Sequence, residues 1–355
     1  MRKAVFLILI LVTTATMQSQ GQVKYSNEFL AIGVGAQIMG MGGAGIAFVD
    51  DATAGYWNPA RLAGLENKVD ISLMHSEYFA GIAKYDYIGS SYRIDDKTVA
   101  GFSFIRLGVD DIPNTLELID YEGNIRYDQI RHFSAADLGI LFSIGRASRI
   151  EGLQYGGNFK LIHRRTGEFA SAWGFGLDAS VNYIRKGWHF GAMARDITGT
   201  FNAWVFNTED LEEVFELTGN EIPENSLEIT TPSLILGSAR KFKISEKISA
   251  SAVLDLRFFF DGKRHVLLPL GFTGLDPYIG SEWVYNEWIA LRFGAGQFQW
   301  ADGLDGKNEI SLQPSIGIGL KFKNLRIDYA LTDIGDLAVA QYSNVISLNY
   351  KIKQD

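Results

Sequence analysis

The sequence predicts an all-β protein, a 14-stranded antiparallel transmembrane β-barrel with an N-terminal glycine-rich plug segment. Three observations predict it. Apolar and polar residues alternate with period two from Val69 to the C-terminus, in runs twice the length of an ordinary soluble strand. Long connections fall only after odd-numbered runs. Aromatic residues gather where the apolar stripes end.

Residues 1–22 come first and read as a secretory signal peptide. Arg2 and Lys3 supply the positive start, Ala4 to Val12 the apolar core, and Thr13 to Gln22 a small, polar stretch suited to cleavage. Nine apolar residues fall far short of the ~20 that a spanning helix needs. No other stretch is close to 18 uninterrupted apolar residues, so a mature chain that enters a membrane must do so as a closed barrel. The domain division that follows is 1–22 signal, 23–68 plug and 69–355 barrel.

Fourteen strands are expected at 69–78, 83–93, 97–107, 133–146, 151–165, 171–184, 187–197, 233–242, 248–258, 274–285, 287–297, 310–322, 324–333 and 341–352. The alternation is clearest late in the chain. Ile316, Ile318, Leu320 and Phe322 share one face, while Ser315, Gly317, Gly319 and Lys321 share the other. A tilted strand crosses a bilayer in ~9–11 residues, which these runs match. Connections after even-numbered strands are short, such as Arg185-Lys186 and Lys323-Asn324. Those after the third, seventh, ninth and eleventh strands are long, at 108–132, 198–232, 259–273 and 298–309. Such sorting is what a barrel with both termini in the periplasm produces, and a soluble β-sandwich has no reason for it. Trp173, Tyr183, Trp188, Trp288, Phe322 and Tyr350 stand near strand ends, where an aromatic girdle would lie. The expected location is the outer membrane, among lipid and lipopolysaccharide.

Composition narrows the chemistry. The chain has 355 residues and no cysteine, which excludes disulfides, thiolate metal sites and cysteine nucleophiles. A formal charge of −8 argues against nucleic acid as a partner. Thirty-eight glycines and only 7 prolines suit many strands joined by tight turns. His75, His132, His163, His189 and His265 are scattered without metal-ligand spacing, and Ser134 and Ser171 lack a nucleophile-elbow context. No enzyme, no cofactor and no metal site is expected.

The segment ahead of the barrel breaks the alternation. It carries a glycine-dense run with Gly40, Gly42, Gly43 and Gly45, then Asp50-Asp51-Ala52-Thr53-Ala54 and Tyr56-Trp57-Asn58-Pro59-Ala60. It lacks the Gly-Lys-Ser/Thr ending of a phosphate loop, and no βαβ unit follows. Glycine lets backbone approach other chain closely, and Asn58-Pro59 is a turn signal, so a compact element housed in the lumen is expected.

Together with Asp110-Asp111-Ile112-Pro113 and Ser134-Ala135-Ala136-Asp137, these motifs resemble the PorV/PorQ family of outer-membrane proteins of the type IX secretion system. More distantly the chain resembles FadL-type channels for hydrophobic compounds, which share fourteen strands and an N-terminal hatch. Arg61 stands where the first family usually has glycine, and the chain ends on Lys353-Gln354-Asp355 rather than on an aromatic. The first resemblance implies binding of secreted cargo through C-terminal sorting domains, and association with the translocon barrel. The second implies uptake of hydrophobic compounds, which would need an apolar pocket between plug and wall and a kinked strand.

Two long loops offer surfaces for a partner. Loop 108–132 carries Asp110 and Asp111. Loop 198–232 is rich in Glu, and a short helix capped by Asn207 would align Leu211, Val214 and Phe215, with Trp204 and Phe206 nearby. These loops are either solvated acidic surface or a docking face whose apolar stripe anchors and whose acids steer.

Overall fold

The computed structural model describes residues 26–120, 122–208, 224–260, 266–270, 273–302, 308–332 and 342–353. The expected signal at 1–22 lies outside the described residues. One antiparallel sheet contains every strand among the described residues. In chain order these are β1 (Val69–Tyr78), β2 (Ala83–Arg93), β3 (Thr98–Asn114), β4 (Arg131–Ala147), β5 (Leu153–Thr166) and β6 (Ala170–Arg185). Next come β7 (Trp188–Arg195), β8 (Thr200–Phe206), β9 (Ser226–Thr230), β10 (Ser233–Lys243), β11 (Ile248–Phe259) and β12 (Leu268–Pro269). The last are β13 (Gly274–Tyr285), β14 (Ile289–Asp302), β15 (Asn308–Phe322), β16 (Leu325–Thr332) and β17 (Ser343–Ile352).

Closure is shown by β1, which pairs with β2 on one edge and with β17 on the other, from Val69 opposite Ile352 to Glu77 opposite Asn344. Fourteen strands make the ring. β8 and β9 extend the wall above β6, and β12 adds a two-residue rung to β13.

Alternation decides which way each side chain faces. Along β17, Ile346, Leu348 and Tyr350 point outward and are exposed, while Val345, Ser347 and Asn349 point inward and are buried. The same inversion holds on β4 and β6, where Phe142, Phe175 and Val181 face out and Ser143, Asp178 and Ser180 face in. A surface of exposed leucine, isoleucine and phenylalanine over a polar interior is unstable in water and matches lipid. The girdle residues Trp188, Trp288, Phe322 and Tyr350 are exposed near the short-turn end.

The expected long loops are shorter than the sequence suggested. β3 and β4 continue to Asn114 and Arg131 past a bulge between Val109 and Ile112, so Asp110 and Asp111 lie in a strand. Asp111 has a positive φ of 58° at that bulge. β14 and β15 likewise continue past a bulge between Gly296 and Gln299. The expected loop 198–232 contains β8 and β9, and Trp204 and Phe206 belong to β8. Leu211, Val214 and Phe215 lie outside the described residues.

Candidate functional site

Residues 26–68 fill the middle of the ring. Contacts reach them from every side: the Tyr85 hydroxyl of β2 donates to the Phe29 carbonyl at 3.0 Å, and the Gly42 N–H donates to Ser315 Oγ of β15 at 2.8 Å. The Ala60 N–H donates to Ser180 Oγ of β6 at 2.9 Å, and the Ala36 N–H to Ser347 Oγ of β17 at 3.1 Å. Asp255 on β11 accepts two backbone N–H groups, from Gly45 at 2.7 Å and Ile46 at 3.0 Å.

The sequence motifs hold this fit together. Trp57 is 1% exposed, and its indole N–H donates to the Val34 carbonyl at 2.9 Å. Asn58, fully buried, donates to the Ile46 carbonyl at 2.8 Å and accepts from the Ala60 N–H at 3.1 Å. It thereby caps the tight helical turn Pro59–Gly64 that Pro59 opens. Gly42 has φ +71°, and a Cβ there would stand 2.5 Å from the Ala295 backbone nitrogen of β14. Gly40 lies against the Gly317 backbone of β15, and the Gly43 carbonyl accepts from Arg257 at 3.2 Å. Wall glycines answer those of the segment: a Cβ on Gly156, Gly280 or Gly294 would strike the backbone of Pro59 or Met41. Sequence reading missed this second set, whose one signal is glycine at inward-facing strand positions.

Asp50 and Asp51 face the short-turn end and both bind Arg326, Asp50 at 3.1 Å. Arg326 also holds Asp328 at 2.8 Å, and Arg292 bridges Asp328 at 2.8 Å to Glu282 at 2.7 Å. Desolvation pushes the Asp50 carboxyl up, but the Arg326 and Lys351 charges outweigh it and hold it well below the usual range.

Above and below the segment lie two chambers. The long-loop chamber, about 620 Å³, has Leu30, Ile32 and Tyr56 as its floor and Leu141, Ile235 and Tyr278 among its walls. Its cations are occupied. Lys160 pairs with Asp178 at 2.8 Å and with Asp196; Arg195 donates to the Leu30 and Tyr56 carbonyls; Arg257 lies 3.9 Å from the Tyr278 ring centre. This chamber touches an interruption in the wall. Between β7 and β8, residues 196–199 lose pairing on one side, opposite Thr231-Pro232 between β9 and β10; Asp196 and Gly199 have positive φ, and towards β6 the Ile197 N–H still donates to the Leu177 carbonyl at 3.0 Å. The short-turn chamber, about 790 Å³, has Gln37 and Asp50 in its ceiling, and its lining carries eight basic and four acidic side chains.

The remaining expected site residues sit apart from both chambers. Asp110 is on the outer face, 3.4 Å from Lys84 and 3.8 Å from Arg106. Trp204 lies under the Arg164 guanidinium, 5.0 Å from ring centre to carbon, and stacks on Phe206. His75 meets Asp86 at 2.7 Å on the outer face, His163 stacks on Trp173, and His189 meets Arg61.

The fold and interior define a 14-stranded transmembrane barrel around an enclosed N-terminal segment. Solved structures with this fold include the CymD monoaromatic hydrocarbon channel, with TM-score 0.57 and 14% identity over 91% of this chain and 98% of that one. The toluene transporter TbuX of Ralstonia pickettii aligns with TM-score 0.54 and 15% identity, over 90% and 98% of the two chains. TodX, the toluene transporter of Pseudomonas putida, aligns with TM-score 0.55 and 13% identity, over 89% and 96%. At such identities the likeness is one of fold. No family model matches the chain. No curated protein sequence matches it either.

Proposed function

We propose that the chain is an outer-membrane channel for hydrophobic small molecules, with the N-terminal segment as its plug and both termini in the periplasm. The observation that carries the reading is the long-loop chamber, half apolar and in contact with the interrupted ladder at 196–199. A pocket of several hundred Å³ with apolar walls suits a drug-sized ligand. A gap in strand pairing gives such a ligand a sideways route that avoids water. Two further features support it: the named neighbours are hydrocarbon transporters, and the long connections, such as 115–130 and 260–273, all lie at one end of the barrel. The reading of a secretion partner rests on the N-terminal motif resemblance to PorV/PorQ.

Uptake of radiolabelled toluene by cells lacking their own hydrocarbon channel tests the proposal. Expression of this chain should raise the uptake rate, and Ile235→Trp, which fills the chamber, should return it towards background. Unchanged uptake on expression, with recovery of sorting-domain proteins on a tagged chain, would replace this reading by the secretion one.

A further inference from the structure

We propose that the short-turn chamber is a binding site for a soluble multivalent oxyanion, a phosphate or polycarboxylate carrying two or more charges. The inference stands apart from the channel reading and rests on unpaired charge. Lys241 and Lys243 project inward from β10, Lys321 from β15, and Lys247 and Lys323 from the turns that follow those strands. None of these five ammonium groups has an ion-pair or hydrogen-bond partner among the described residues, and all five line one cavity of about 790 Å³. The other cations there are already used: Arg326 and Arg292 hold Asp50, Asp51, Glu282 and Asp328, and Lys351 donates to the Asp50 carbonyl at 3.0 Å. The acids left in the lining are Glu246 and Glu287.

The arrangement is not a by-product of overall charge, because the chain carries −8. Nor is it general to the interior, since the cations of the long-loop chamber are matched by carboxylates, carbonyls or a ring face. All five side chains reach solvent, and like charges gathered around one concave space repel one another and focus a positive potential into it. An anion entering from the aqueous side relieves that repulsion. Ammonium groups on flexible stems satisfy phosphate or carboxylate oxygens as point charges, without the fixed fork of arginine. The cavity has the volume of a small-molecule site and ends blindly against Gln37 and Asp50. That depth suits a compact ligand over a folded partner.

The test uses the full chain, refolded in maltoside micelles at low salt and titrated calorimetrically with citrate and with tripolyphosphate. Single-site binding that weakens with added salt is expected. The triple variant Lys241→Gln/Lys321→Gln/Lys323→Gln should weaken it about tenfold or more. The control Arg149→Gln/Lys186→Gln, on turns outside the chamber, should bind as the parent does. Heat-dependent gel mobility confirms that each variant is folded. Absence of binding by the parent, equal weakening in the control, or unchanged affinity in the triple variant would overturn the site. Binding of phosphatidylglycerol micelles or of a polyglutamate peptide with neither soluble anion bound would also overturn it, and assign the charge to a lipid or a protein.

Discussion

The two chambers share one partition but have opposite electrostatic designs. On the long-loop side each basic group meets an acid, a carbonyl or a ring, and the space between is half apolar. On the short-turn side the partition is fastened by Arg326 and Arg292, and beyond them lysines stand unmatched. The first chamber sets three basic side chains against four acidic ones. The second sets eight against four. One segment therefore separates a chamber of matched charges from one with unmatched lysines.

The largest expected effects come from cutting one fastening on each side. Arg326→Ala leaves Asp51 buried without its cation, held only by the Thr53 N–H and hydroxyl, and should cost about 3–5 kcal/mol, read by guanidinium unfolding in micelles. It should also raise ion conductance in planar bilayers, because it frees the underside of the segment. Lys160→Ala strips Asp178 and Asp196 of their shared cation, at a similar cost of about 3–5 kcal/mol. Its functional signature should differ: hydrophobic uptake changes while ion conductance does not, since the pair braces the wall interruption. Matching signatures from the two variants would mean that the chambers are not separate. A smaller loss, about 1–3 kcal/mol, is expected for Gly42→Ala, whose Cβ meets backbone and whose φ disfavours any side chain. Smallest of all should be Asp110→Ala. Its ion pairs lie on the exposed outer face and are screened by solvent, so the guanidinium unfolding midpoint should match the parent's, with neither chamber altered.

Most of the wall was legible because each strand has one oily and one polar face. The limits 69–78, 83–93 and 274–285 agree with β1, β2 and β13 residue for residue. What failed was the long-loop end of β3 and of β14, and for one physical reason. A bulge sets two residues against one and shifts the alternation to the other face, so at Val109–Ile112 and Gly296–Gln299 the period-two signal vanishes while pairing continues. Asp110 and Asp111 were consequently assigned to a loop. The glycine run and the Asn58-Pro59 turn marked the enclosed segment, yet its counterparts Gly280 and Gly294 look like ordinary small lumen residues until register is known. The lysine chamber was invisible for a related reason. Lys241 and Lys321 belong to strands far apart in the chain, and only ring closure brings them to one space.

The seam at which β1 meets β17 joins the most distant strands of the sheet, and the enclosed segment runs directly into β1. Ladder contacts so remote in sequence are the slowest to form. Whatever zips Val69 to Ile352 must therefore deliver residues 26–68 into the cylinder in the same act. A chain stalled before that step would present a raw strand edge, an undocked glycine coil and an empty bore together, three faults that one inspection by the cell's envelope proteases could find.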